Sequence, residues 1–208
     1  STEGLQALDG DLANVDTLFA HGFRMAGLAH FFDNKVAGSA HGVNRGGLSP
    51  LGRRVVQRMQ DLRMIVDLAH VAPRAFDDML AVAARPVVVS HTGVQATCAG
   101  PRNLTDDQLR RLAENRALIG IGFWDGAVCD ISPRAVARAI RHAVAVAGLR
   151  SVALGSDWDG ATTVSFGADQ LNQLTAALLQ EGFSEAEIRA VMGENAIRFL
   201  LENLPPGA

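Results

Sequence analysis

Val66-Asp67-Leu68-Ala69-His70, Val88-Val89-Ser90-His91 and Leu154-Gly155-Ser156-Asp157 are short apolar runs that each end in a side chain able to do chemistry. Leu28-Ala29-His30 follows the same rule. Nearly continuous apolar runs of this kind are expected of parallel strands covered on both faces. Working outward from them, strands are expected at 24–30, 64–70, 86–91, 118–124 and 151–157. Amphipathic segments separate the runs, so the pattern is one of repeated βα units and a parallel sheet.

Start signals support the helices. Ser49-Pro50, Ala72-Pro73 and Ser132-Pro133 place proline at a first helical position, and Thr105-Asp106-Asp107-Gln108 and Ser184-Glu185-Ala186-Glu187 fit the capping box. Helices are therefore expected over 50–62, 73–83, 106–115, 133–147, 168–181 and 185–202, with one more over 11–20. No linker or internal repeat interrupts the order, which predicts a single domain over 1–208. The polar, glycine-rich stretch 31–47 is the one long loop.

Composition excludes several classes. The chain has 208 residues, 48% hydrophobic and 20% charged, so it can bury an ordinary core. A formal charge of −3 with scattered Lys and Arg argues against a nucleic-acid partner. No apolar run is long enough to span a bilayer. Ser1-Thr2-Glu3-Gly4 lacks the basic and apolar regions of a signal peptide. Two cysteines, Cys98 and Cys129, are too few for a disulfide scaffold and read as buried thiols.

In a parallel barrel, residues that end strands emerge at one C-terminal rim. His30, His70, His91 and Asp157 would then converge although they are distant in sequence. A single histidine after an apolar run is more often a satisfied rim residue than a ligand; three at equivalent strand ends, with an aspartate, favour a site. Neutral imidazoles with carboxylates nearby suit zinc or a similar divalent ion, and hydrolysis is the commonest use of such a rim.

These residues also carry a resemblance. Gly47-Leu48-Ser49-Pro50-Leu51-Gly52-Arg53-Arg54-Val55-Val56, Ile65-Val66-Asp67-Leu68-Ala69-His70-Val71 and Val89-Ser90-His91-Thr92 resemble the pattern of the membrane (renal) dipeptidase family. So do Pro101-Arg102-Asn103-Leu104-Thr105-Asp106-Asp107, Gly155-Ser156-Asp157-Trp158-Asp159-Gly160 and Gly193-Glu194-Asn195. The similarity runs through essentially the whole chain in order. That family consists of zinc dipeptidases within the metallo-dependent hydrolase (amidohydrolase-like) superfamily.

The resemblance implies an α/β fold of the TIM-type (β/α)8 barrel class. Family members begin with a first strand ending in His-x-Asp, followed by a second βα unit, and Glu3 would stand at the end of the third strand. The expectation is therefore a barrel lacking its first two βα units in this chain. A separate N-terminal segment or partner chain would complete it, unless the protein is a shortened homologue.

Roles follow from the same resemblance. His70 and His91 are similar to two imidazole ligands of one zinc, and Glu3 to the carboxylate that bridges two zincs in the complete site. Taken alone, Glu3 reads as a mobile terminal glutamate. His30 resembles the histidine that contacts the substrate amide oxygen. Arg102 resembles the residue that holds the substrate carboxylate, its plainer reading being a solvated loop arginine. Asp157 resembles the proton shuttle beside a metal-bridging hydroxide, with Asp159 as the alternative. Trp124 and Trp158 either wall the pocket or pack in the core, and Asn195 reads as structural. Cys98 and Cys129 fall near positions bridged in some family members, which would require an exported, oxidising setting; the compartment is otherwise open between cytoplasm and export.

The function expected is zinc-dependent hydrolysis of small dipeptides, tolerant of a D-residue at the C-terminal position. The alternatives are a non-catalytic metal-binding or ligand-binding domain and an amidohydrolase acting on an acylated amino acid. Family members are often dimers, so a homodimer is a further expectation.

Overall fold

Five parallel strands are ordered β1 Met25–Gly27, β2 Ile65–Asp67, β3 Val88–Thr92, β4 Leu118–Ile121 and β5 Val152–Leu154, in chain order across one open sheet. The structure, a computed structural model, describes residues 1–159 and 161–206. Gly160, the last residue of the 155–160 motif, lies outside them. Helices fill the connections: α1 Ala13–Ala20, α2 Pro50–Asp61, α3 Pro73–Val82, α4 Asp106–Glu114, α5 Asp125–Val128, α6 Pro133–Ala147, α7 Asn172–Gln180, α8 Glu185–Arg189 and α9 Asn195–Asn203. Among the described residues, no helix is long and apolar enough to cross a membrane.

The start signals act as their chemistry dictates. Ser49 Oγ accepts from Gly52 N and Ser132 Oγ from Ala135 N. Thr105 with Gln108, and Ser184 with Glu187, close full capping boxes. Each satisfies amide donors that the first helical turn leaves without partners.

Two helices differ from expectation. The stretch over 168–181 opens as a 3-10 turn, Ala168–Gln170, before α7 begins. The stretch over 185–202 is interrupted by a π-helical turn, Ala190–Glu194, which contains Gly193, the residue type that least resists departure from α geometry. The strands are also shorter than the apolar runs, because their last residues leave the ladder to turn. α5 was not expected: one turn is too short to show a helical period.

By contacts the chain divides into two compact units, the first holding Ser1–Val88 with the segment from Leu200 and the second Val89–Phe199. In the first, Met25, Ala26 and Gly27 pair in register with Ile65, Val66 and Asp67. Thr2 bridges Ala26 in parallel on the other side, with Thr2 N donating to Met25 O and Gly27 N donating to Thr2 O. Leu8, Leu28, Met59 and Met79 are fully buried there. In the second unit Ile119, Gly120 and Ile121 pair with Val152, Ala153 and Leu154. Its core is Phe123, Leu109, Leu112, Ile119, Ile121, Ile140, Leu174 and Leu178. A Cβ on Gly155 would lie 2.3 Å from Ser90 O and 2.9 Å from Gly120 Cα, so three strand backbones approach here as only glycine permits.

The loop over 31–47 is ordered by its own polar residues. Asp33 Oδ1 accepts from Ser39 N and Oδ2 from Asn44 N, each at 2.8 Å. Gly42 passes so close that a Cβ would overlap the Asp33 carboxylate at 2.1 Å. Asn34 donates to Leu28 O and accepts from Val36 N and Ala37 N. The Ser39 amide, with help from those of Asn44, Arg45 and Val43, holds the Asp33 carboxyl below its ordinary 3.8 against a smaller opposing effect of burial. A depressed carboxyl contributes stability above its unfolded pKa and loses it as pH falls through the folded value. The gap in Tm between the protein and Asp33→Ala is therefore expected to be full at pH 6 and to narrow below about pH 4. Thermal melts across that range check it.

Candidate metal centre

Pairing of Thr2 with Ala26 carries the next residue, Glu3, to the end of β1, where β1 and β2 deliver His30 and His70. Glu3 Oε1 lies 2.9 Å from His70 Nε2 and Oε2 lies 3.5 Å from His30 Nε2. His70 is buried and Glu3 partly exposed.

The backbone around His70 is constrained to hold it. Asp67, buried at the end of β2, accepts from Ala69 N at 3.0 Å and shapes the turn. His70 then adopts φ of 65°, a left-handed conformation uncommon outside glycine. Its carbonyl accepts from Ala40 N at 2.7 Å. Strained backbone of this kind persists where the surroundings over-determine it, and it concentrates at functional sites. Ser39, fully buried, ties the loop to both strand ends: its Oγ donates to His30 O, and its backbone bridges Val71.

In the second unit, β3 delivers His91, buried, with Ser90 Oγ 2.9 Å from its Nδ1. The Trp124 ring stands edge-on to His91 with centroids 5.7 Å apart. Trp158 instead packs edge-on against Phe123 at 5.4 Å and against Phe166 at 6.2 Å, in the core.

Asp157 follows β5 with φ of 61°, the same unusual backbone as His70, and its carbonyl accepts from Thr162 Oγ1 at 2.7 Å. Asp159 is exposed, and its Oδ1 accepts from Ala161 N at 3.2 Å, so its carboxylate is used in a local turn. Asn195 is buried and donates to Leu149 O and Val152 O, tying α9 to β5.

Arg102 is half-buried on the loop between β3 and α4. Thr92 Oγ1 donates to its carbonyl at 3.0 Å. The neighbouring Asn103, buried, donates through Nδ2 to Cys98 O, Gly126 O and Ala127 O and accepts from Gly93 N. Cys98 and Cys129 are joined by a disulfide, their Cα atoms 5.4 Å apart. Asn103 and the bridge fasten the loop that carries Arg102 to α5.

In the first unit Glu3 and the buried His70 each offer one ligand atom, the two lying 2.9 Å apart, and in the second the buried His91 stands on β3. His30 borders that pair through Glu3, with Nε2 3.5 Å from Oε2. A carboxylate oxygen beside a buried imidazole nitrogen is chemically suited to zinc. Sequence reading missed the supporting residues. Ser39 and Asn103 lie in loops without periodicity, whereas Asp67, a charge inside an apolar run, was the visible signal.

The profile of the family described as membrane dipeptidase (peptidase family M19) matches residues 1–203. Dipeptidase tcpJ of Claviceps purpurea is 36% identical over 96% of this chain and 49% of its own length. An uncharacterized dipeptidase of Schizosaccharomyces pombe is 32% identical over 94% of the chain and 50% of its own. This chain thus spans about half the length of the curated relatives it matches.

Among solved structures, the metallopeptidase dipeptidase AC aligns with a TM-score of 0.88 and 28% identity, covering 97% of this chain and 62% of that one. A Rhodobacter sphaeroides metallopeptidase, liganded with a phosphinate mimic of the dipeptide L-Ala-D-Ala, aligns with a TM-score of 0.87 and 28% identity over the same shares. With its parallel α/β order and strand-end residues, and with the family profile covering nearly all of it, the chain belongs to the membrane dipeptidase family.

Proposed function

We propose that the protein hydrolyses small dipeptides with a zinc ion held by Glu3, His70 and His91. The observation that carries this is the 2.9 Å approach of Glu3 Oε1 to Nε2 of the buried His70. The Ser90 hydroxyl beside His91 Nδ1 fits the usual arrangement in which a ligand histidine is oriented through its other nitrogen. When bound, such an ion supplies Lewis acidity, polarising the amide carbonyl and making water a competent nucleophile near neutral pH.

The chain's own residues then do the rest. His30, whose Nε2 borders Glu3, donates in this reading to the amide oxygen as charge develops on it. Arg102 offers a planar fork matched to the terminal carboxylate, which distinguishes a dipeptide from a longer chain. Asp157 takes the proton from the attacking water and returns it to the leaving amine. The local turn that occupies the Asp159 carboxylate favours Asp157 over Asp159 in this role. The ligand of the Rhodobacter relative, a mimic of L-Ala-D-Ala, supports tolerance of a D-residue at the C-terminal position.

Removing the fork should act on binding. Arg102→Ala is expected to raise KM about tenfold to hundredfold for dipeptides with a free carboxylate, the worth of a charge-assisted hydrogen bond, with kcat little changed. C-terminally amidated substrates should not register the change. Steady-state kinetics on matched free and amidated dipeptides check it. An unchanged KM for the free acids contradicts the assignment. Failure of the metal-loaded protein to cleave any dipeptide would overturn the proposed function itself.

A further inference from the structure

The site has an aromatic wall that the hydrolysis described above does not use. Phe31 directly follows His30, and its ring centroid lies 4.4 Å from that of His30, 4.9 Å from that of His41 and 5.6 Å from that of His70. The His41 ring in turn lies 5.4 Å from His70, and the rings of His30 and His70 meet edge-on at 4.6 Å. The rings of Phe31 and His41 therefore form one contiguous surface with those of His30 and His70, the histidines beside Glu3.

Two members of that surface face outward. Phe31 is 47% exposed, and His41 is also exposed. Their loop is not a loose one. His41 N donates to Ser39 Oγ, and Ser39 is itself fastened to the carbonyl of His30. Ala40 N holds the carbonyl of His70, and the Asp33 carboxylate clamps Ser39 and Asn44. A large ring kept half in water on a tightly bonded loop next to a reaction centre is a preorganised apolar contact for a ligand.

We propose that Phe31 and His41 form a side-chain subsite beside the scissile amide, which selects dipeptides bearing a large apolar or aromatic side chain. The inference rests on the dipeptidase reading and deepens it. A benzyl or isobutyl group laid on these faces covers the exposed part of Phe31 and makes offset or edge contacts with both rings. Methyl and hydrogen side chains cannot do so.

The test compares the protein with Phe31→Ala and His41→Ala. Zinc content is measured in each, together with the dissociation constants of two phosphinate dipeptide mimics by calorimetry. One mimic carries only methyl side chains, and the other carries a benzyl group, made at either position. Hydrolysis of Ala-Ala and of Phe-containing dipeptides is followed in parallel.

The expected result is a preference of about tenfold for a benzyl compound over the methyl one. Each substitution should remove most of that preference and leave zinc content and Ala-Ala turnover near those of the parent. Phe31→Leu should restore part of it. Three results would overturn the inference while leaving the dipeptidase reading standing: no benzyl preference in the parent, a preference unchanged in both variants, or an equal loss of kcat on every dipeptide. Zinc loss in either variant would also overturn it, by making the residues supports of the metal. A parent protein that neither binds the mimics nor cleaves any dipeptide would overturn both readings together.

Discussion

Asp157→Asn is expected to keep its metal and lose about three orders of magnitude in kcat. General acid–base catalysis by a positioned side chain contributes roughly 10²–10⁴-fold, and asparagine keeps the shape while removing the transferable proton. The backbone makes this a clean substitution. Asp157 sits at φ of 61°, a conformation that asparagine also tolerates, and its carbonyl bond to Thr162 does not depend on the side chain. KM should change little, because the aspartate is assigned to the proton and not to binding. Asp159→Asn, on an exposed carboxylate already engaged by Ala161 N, should cost far less. Kinetics alongside elemental analysis decide it: loss of zinc in step with loss of turnover would make Asp157 a ligand and not a shuttle.

The second large effect is expected at His70. His70→Asn should weaken zinc binding at least about hundredfold, beyond the 10–100-fold typical of residues that only support a ligand, and abolish turnover at ordinary zinc concentrations. Asparagine is preferred to alanine because the left-handed backbone at position 70 would add strain for alanine and confuse metal loss with misfolding. A ligand that binds only the folded state raises stability in proportion to the logarithm of its concentration over Kd. Added zinc should therefore raise the Tm of the parent by several degrees and that of the variant hardly at all. An equal rise in both would remove His70 from the ligand set.

Much of this site was legible because parallel strands impose a rule on sequence. A residue that ends an apolar run is expected at the rim, so His30, His70, His91 and Asp157 could be put forward from the sequence, and His30 and His70 do lie beside Glu3. Helix starts were legible for a similar reason, since Ser49, Thr105, Ser132 and Ser184 answer a local demand for amide acceptors. What local pattern cannot encode is contact made by irregular backbone. Ser39 reaches His30 O, and Asn103 gathers the carbonyls of Cys98, Gly126 and Ala127, across loops with no period to read. The π turn at Ala190–Glu194 was invisible for a related reason, because five residues are too few to show a changed period. Strand ends were overextended because the turns that aim His70 and Asp157 use left-handed backbone, and neither residue type announces it.

The account stands on one ion shared by Glu3, His70 and His91, and anomalous diffraction at the zinc edge from crystals grown with zinc tests that most directly. The predicted result is a peak about 2.0–2.2 Å from a carboxylate oxygen of Glu3 and from one imidazole nitrogen of each of His70 and His91. Strong zinc peaks elsewhere with none among these three side chains would contradict it.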